Sequence, residues 1–166
     1  IRDSFIPEGK LENSDDKQSG AKYEEWAKQG ILTVLPGLDN DLTKVADWFY
    51  QLYKDYDIRT VVCGYDQRFA REFKDRMEEY GIECEMVLQN AETLNNAMRL
   101  CEQELKARHV NYNENELDRW CLGNASMKID NFGRVLCIKI NNQATRRIDG
   151  AVTLIILYEI YRRYRG

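Results

Sequence analysis

Proline is nearly absent from this 166-residue chain, with only Pro7 and Pro36, and histidine occurs once, at His109. Long apolar runs are missing too. The longest stretch, Ala151 to Leu157, sits between Asp149 and Glu159 and falls far short of the roughly 20 residues a membrane span needs. The N-terminus carries no basic-then-apolar leader. The five cysteines (Cys63, Cys84, Cys101, Cys121, Cys137) form no CxxC pair. With a single histidine they suggest neither a zinc site nor a disulfide framework, and serve best as small buried hydrophobes. No Gly-rich phosphate loop ending in Lys-Ser or Lys-Thr occurs, which removes the usual ATPase motif. These absences leave a cytosolic globular protein.

The 43% apolar and 31% charged composition suits one domain spanning residues 1–166. A net charge of −4 does not advertise nucleic-acid binding, but the charge is unevenly spread. From Phe132 to Gly166 seven bases face two acids, so that segment carries +5 and the rest −9. Such a basic end can meet phosphates, although Arg162, Arg163 and Arg165 can equally be solvated residues of a terminal helix.

Hydrophobic periodicity predicts alternating strands and helices. Strand tails or strands are expected at Ile1–Ile6, Ile31–Leu35, Arg59–Tyr65 and Ile82–Leu88. An antiparallel pair, Met127–Asp130 with Val135–Ile140, is expected across Asn131–Phe132–Gly133. Helices are expected at Ala21–Gln29, Asp39–Tyr56 (capped by Asp39 or Asn40), Gln67–Tyr80, Glu92–Arg108 and Ile148–Arg165. Glu8–Ser19 is expected to be a long loop, and Asn111–Ser126 has no clear pattern. His109, just past a helix end, suits a contact with that terminus. The alternation points to an α/β fold with a mixed sheet, and the apolar strand Thr60–Cys63 to a sheet covered on both faces.

Two carboxylates carry the candidate chemistry. Asp66 directly follows that apolar strand, where ligands gather in open α/β sheets. Asp149 opens the last helix behind Arg146 and Arg147. Each on its own suits a helix N-terminus, as a cap or a dipole partner. Together they could hold Mg²⁺ or Mn²⁺, hard ions that take oxygen ligands and serve phosphodiester hydrolysis. Lys139, Arg146 and Arg147 could add positive charge beside a phosphate, or be ion-pair partners within the protein.

Several segments then carry a family resemblance. Tyr23 and Trp26 followed by Gly30, Ile31 and Leu32 form one; Gly64-Tyr65-Asp66 is another. Asn111-Tyr112-Asn113 followed by Trp120 and Asn124 is a third, and Lys139 followed by Arg146-Arg147-Ile148-Asp149-Gly150 closes the chain. In this order they resemble the C-terminal nuclease domain of phage and prophage terminase large subunits, of the HK97-like tailed-phage type. The resemblance implies an RNase H-like fold: a mixed sheet flanked by helices, here lacking its first strands, with the ATPase motor domain absent. It implies an endonuclease that cuts concatemeric phage DNA during genome packaging by two-metal phosphodiester hydrolysis, with Mg²⁺ or Mn²⁺ as cofactor. It assigns the second and third acidic ligands to Asp66 and Asp149. The family's first aspartate lies on a strand ahead of everything here, and Asp3 is no substitute. Little activity is therefore expected of this chain alone. Double-stranded DNA, the terminase small subunit and the portal are the implied partners, in the cytoplasm of the bacterial host and with no membrane. A resolvase- or integrase-type RNase H-like nuclease and a non-catalytic packaging-assembly docking module are the alternatives.

Overall fold

The computed structural model describes residues 3–68 and 71–165. Among these, six short strands and seven α-helices alternate through most of the chain, the α/β order expected from the sequence. The strands form three two-stranded sheets rather than one continuous sheet. β1 (Phe5–Pro7) pairs in parallel with β2 (Thr33–Leu35), and β3 (Val62–Tyr65) in parallel with β4 (Glu83–Met86). β5 (Ala125–Ile129) and β6 (Val135–Lys139) form the expected antiparallel hairpin. The ladders are local, with strands of three to five residues, yet Val62 of β3 and Val135 of β6 share one hydrophobic cluster.

β3 is covered on both faces, as its unbroken apolar sequence suggests. Alternate side chains point to opposite sides of a strand. Val62 packs into the cluster built on Val87, Leu94, Ile155 and Ile156. Cys63 and Tyr65 pack into the cluster of Ala46, Phe73, Met77 and Ile82. Gly64 faces the last helix, α7 (Asp149–Tyr164), at very close range. A Cβ at Gly64 would lie 2.5 Å from Ile160 Cγ1 and 2.7 Å from Ile156 Cγ2. Only glycine lets this helix sit so close to the strand. Val61, just ahead of β3, is outside this shelter and is 77% exposed.

The helices form where apolar stripes meet polar caps. α3 (Leu42–Tyr56) starts at Asp41, whose Oδ1 accepts from Thr43 N at 3.0 Å. The cap is thus Asp41 rather than Asp39 or Asn40, because only Asp41 places its carboxylate one residue ahead of the first helical turn. α4 (Arg71–Glu79) turns Phe73 and Met77 inward as expected. The earlier half of that expected helix includes Phe69 and Ala70, which lie outside the described residues, as do Ile1, Arg2 and Gly166. α5 (Ala91–Lys106) is capped by Asn90, and beyond its end His109 Nδ1 lies 3.1 Å from Glu104 Oε2.

Two segments differ from expectation. Glu8–Ser19 holds a 3₁₀ turn (Glu8–Lys10) and a short helix, α1 (Ser14–Gln18), capped by Asn13. The one residue α1 buries is the charged Asp16, so no apolar period marks it. The unassigned Asn111–Ser126 holds α6 (Glu116–Gly123), capped by Asn115. α6 packs with α2 (Tyr23–Lys28) around Trp26, which is 2% exposed, and Leu117 and Cys121 complete that cluster. All five cysteines are free thiols; Cys101 and Cys121 are buried and the others half-buried.

Candidate functional site

Asp66 follows the last residue of β3 and lines a cleft of about 240 Å³ with Gln67, Arg68, Val87, Leu88 and Gln89. The cleft opens at the carboxyl ends of the parallel pair β3 and β4, where Val87 N donates to Tyr65 O at 2.9 Å. Asp66 is half-buried, and its Oδ1 accepts from Arg68 N at 3.3 Å, closing a turn ahead of α4. That bond uses little of the carboxylate's accepting capacity.

Asp149 is the first residue of α7 and is exposed. Among the described residues its carboxylate accepts no hydrogen bond, although its backbone carbonyl accepts from Thr153 Oγ1 at 2.8 Å. An acid in the first turn is favoured by the helix dipole, which agrees with its ordinary structural role. Asp149 does not line the Asp66 cleft.

The packing of α7 sets how the two acids are related. Tyr164, in the last turn, donates to Glu85 and feels the charge of Glu83 near the start of β4. Ile156 and Ile160, earlier in the helix, lie over Gly64. These contacts hold α7 against the middle of the strand pair, since Glu85 is the register partner of Gly64. Asp66 lies two residues past Gly64, and Asp149 seven residues before Ile156. Asp149 precedes Ile156 by about 10 Å of helix axis, at ~1.5 Å per residue.

Among the described residues no group of three or more His, Cys, Asp and Glu side chains is arranged around a metal position. Ions of the Mg²⁺ class keep several waters and are held by one or two carboxylates plus substrate phosphate oxygens, so Asp66 and Asp149 are the acids that could hold one.

The basic side chains singled out in the sequence are engaged within the protein. Arg147 Nε donates to Asp16 Oδ1 at 2.9 Å, and the Asp16 side chain is 3% exposed. Tyr23 OH donates to Asp16 Oδ2 at 3.0 Å. Burial, reinforced by that carboxylate, pushes the Tyr23 phenol well above its usual range. Arg146 donates to Gln143 Oε1 at 2.9 Å, to Ser19 O at 3.2 Å and to Asn124 Oδ1 at 3.3 Å. Asn124 is 3% exposed and donates through Nδ2 to Arg147 O at 3.1 Å. Lys139 Nζ donates to Ala144 O at 2.6 Å. Arg162 and Arg163 bond to Glu159, itself 2% exposed, and Arg165 lies over the Tyr161 ring. The ion-pair alternative thus describes Arg147, and backbone or amide acceptors hold Lys139 and Arg146.

Sequence reasoning missed Asp16, Tyr23 and Trp120 as the frame behind the final helix. Trp120 Nε1 donates to the same Ser19 carbonyl, at 2.9 Å, that Arg146 uses. Tyr23 and Trp120 stood out only through the family resemblance, and Asp16, an acid inside a polar stretch, is passed over by an apolar-period scan.

The chain is similar to protein YmfN of Escherichia coli (strain K12), with 21% identity over 146 residues, covering 88% of this chain and 32% of that protein. It is also similar to the crystal structure of the HK97 bacteriophage large terminase, with a TM-score of 0.78 and 22% identity, covering 94% of this chain and 32% of that one. The chain thus spans about a third of the length of each. At this identity the structural likeness is one of fold, and the fold is the α/β, RNase H-like one of that terminase. The sequence matches the terminase large subunit, endonuclease domain family over residues 1–163. That match spans nearly the whole chain, both carboxylates and the clamp behind them, and the chain belongs to the terminase large subunit endonuclease domain family.

Proposed function

We propose that this domain cuts double-stranded DNA during phage genome packaging, severing concatemers, with Asp66 and Asp149 holding Mg²⁺ or Mn²⁺. What supports this reading is the family match over residues 1–163, which spans both acids, together with Asp66 lining a cleft at the carboxyl ends of β3 and β4. A divalent ion bound there would supply nucleophilic water at neutral pH and neutralise charge on the leaving oxygen, with two ions serving the attacking and departing sides.

The chain's own groups would do the rest. Asp66, held by a single backbone hydrogen bond, keeps free oxygen lone pairs toward the cleft. Asp149 presents a carboxylate that accepts no hydrogen bond among the described residues, from a helix whose start is fixed by Asn124 and Asp16 through Arg147. The RNase H-like resolvase or integrase alternative loses ground to the family match. The small subunit and portal would be partners of the whole protein, acting in the host cytoplasm where unpackaged DNA lies. No helix among the described residues is long and apolar enough to cross a membrane.

Mn²⁺ binding followed by electron paramagnetic resonance, beside plasmid cutting, tests the reading. Asp66→Asn and Asp149→Asn should each weaken Mn²⁺ binding on the order of tenfold or more, about 1.4 kcal/mol per decade, with the melting curve unchanged. In a longer protein that carries this domain with the residues preceding it, cutting should fall with it. Mn²⁺ binding equal to wild type in both variants leaves only the docking-module reading.

A further inference from the structure

We propose that Arg68 grips a phosphate of the DNA backbone in the cleft beside Asp66, an inference that rests on the DNA-cutting reading. A nuclease must offset the negative phosphate next to its own carboxylates. The basic residues expected to do this, Lys139, Arg146 and Arg147, spend donors on Ala144 O, Asn124 Oδ1 and Asp16. Arg68 is different. It is exposed, it lines the Asp66 cleft, and its guanidinium has no hydrogen bond or ion pair among the described residues.

Its position relative to Asp66 is set by the backbone. Arg68 N donates to Asp66 Oδ1 at 3.3 Å, so both groups are carried on one turn. The guanidinium nevertheless forms no ion pair with that carboxylate, which leaves its planar fork available to a bidentate acceptor. Phosphodiester oxygens are such an acceptor, and phosphate contacts of this kind set the position of a duplex without reading its sequence. The opposite wall carries Gln89, whose Nε2 donates to Val87 O at 3.1 Å, and Gln67 borders the same cleft. Uncharged amides on these walls add hydrogen-bonding capacity without further repulsion of an anion. The site therefore favours DNA of any sequence, held at a phosphate adjacent to the carboxylate.

Binding of a short fluorescent DNA duplex, measured by anisotropy across a series of salt concentrations, tests this. Arg68→Ala should weaken binding and lower the slope of log K against log salt by about one unit, the signature of one lost phosphate contact. Arg68→Lys should restore most of the slope while keeping the weaker affinity of a point charge. Lys54→Ala, which removes the same charge from the exposed side of α3, should leave the slope at its wild-type value. The Arg68 side chain is exposed and makes no hydrogen bond or ion pair among the described residues, so the variant should melt as wild type does. If wild type binds and Arg68→Ala keeps the full slope, the Arg68 assignment is overturned while DNA binding stands. If wild type binds no duplex at any salt concentration, the DNA-cutting reading fails and takes this inference with it.

Discussion

Asp16 and Arg147 are 131 positions apart in sequence, yet Asp16 Oδ1 accepts from Arg147 Nε at 2.9 Å. A short polar helix near the N-terminus is thereby tied to the approach of the last helix, two residues before Asp149. Asp16 is 2% exposed, and it also accepts from the Tyr23 hydroxyl. A buried carboxylate is tolerated only when paired and hydrogen-bonded, and here both conditions are met.

Removing one side of this pair should be costly. Asp16→Ala leaves Arg147 and Tyr23 without their acceptor. Breaking a buried pair costs roughly 3–5 kcal/mol, and partial exposure of Arg147 should bring this to about 2–3 kcal/mol. The midpoint of urea unfolding reads the loss. In a double-mutant cycle with Arg147→Met, the second substitution should cost much less once Asp16 is gone. Strict additivity would show that the two groups do not stabilise each other.

Gly64→Ala should destabilise by roughly 1–3 kcal/mol, because the new methyl would overlap Ile160 and Ile156. Ile160→Ala alone should also destabilise, by leaving a cavity, about 2–5 kcal/mol. Combined, the two should cost less than their sum, since the smaller side chain makes room for the methyl. Additive losses in thermal or urea unfolding would argue that α7 does not rest on Gly64.

Stability should fall at alkaline pH through Tyr23. Its folded-state pKa is raised above the ordinary tyrosine value of 10.0, first by burial and then by Asp16. A raised pKa contributes stability that is fully present below pH 10 and is lost as pH climbs toward the folded value. Tyr23→Phe should therefore lose about 1.5–3 kcal/mol at neutral pH, the worth of a hydrogen bond to a charged group. The variant should also show a shallower decline in Tm from pH 9 to 11 than wild type, on a scale of about one proton. Parallel declines would remove Tyr23 from the account.

Cys63 should resist alkylation. Burial, helped by neighbouring Cys84, pushes its thiol up to about 12. Only the thiolate reacts, so native-state labelling with iodoacetamide at mildly alkaline pH should be at least roughly tenfold slower than in urea. Mass spectrometry of the labelled peptide gives the rate. Equal rates in both conditions would mean that β3 does not shield the thiol.

Much of the fold was legible because its elements announce themselves locally. The stripe Leu42, Val45, Phe49, Leu52 marks α3, and the apolar run before Asp66 marks β3 with both faces covered. Glycine at 133, with φ of 72°, closes the hairpin that the flanking strands predict. Elements held by charge were not legible. α1 buries an aspartate and no apolar side chain, so its helix has no hydrophobic period to find. The roles of Arg146 and Arg147 were ambiguous for the same reason, since a guanidinium suits a phosphate and a carboxylate equally well.

Local chemistry in the sequence determined that Asp66 would end an apolar strand and Asp149 would open a helix, because strand and helix propensity act over a few neighbours. Tertiary structure decided how closely α7 lies on β3, since Gly64 lets Ile156 and Ile160 approach the strand. It also decided which cations stay unengaged. Partners such as Asp16 and Arg147 meet only after the chain has folded, and no short-range pattern records a contact across 131 residues.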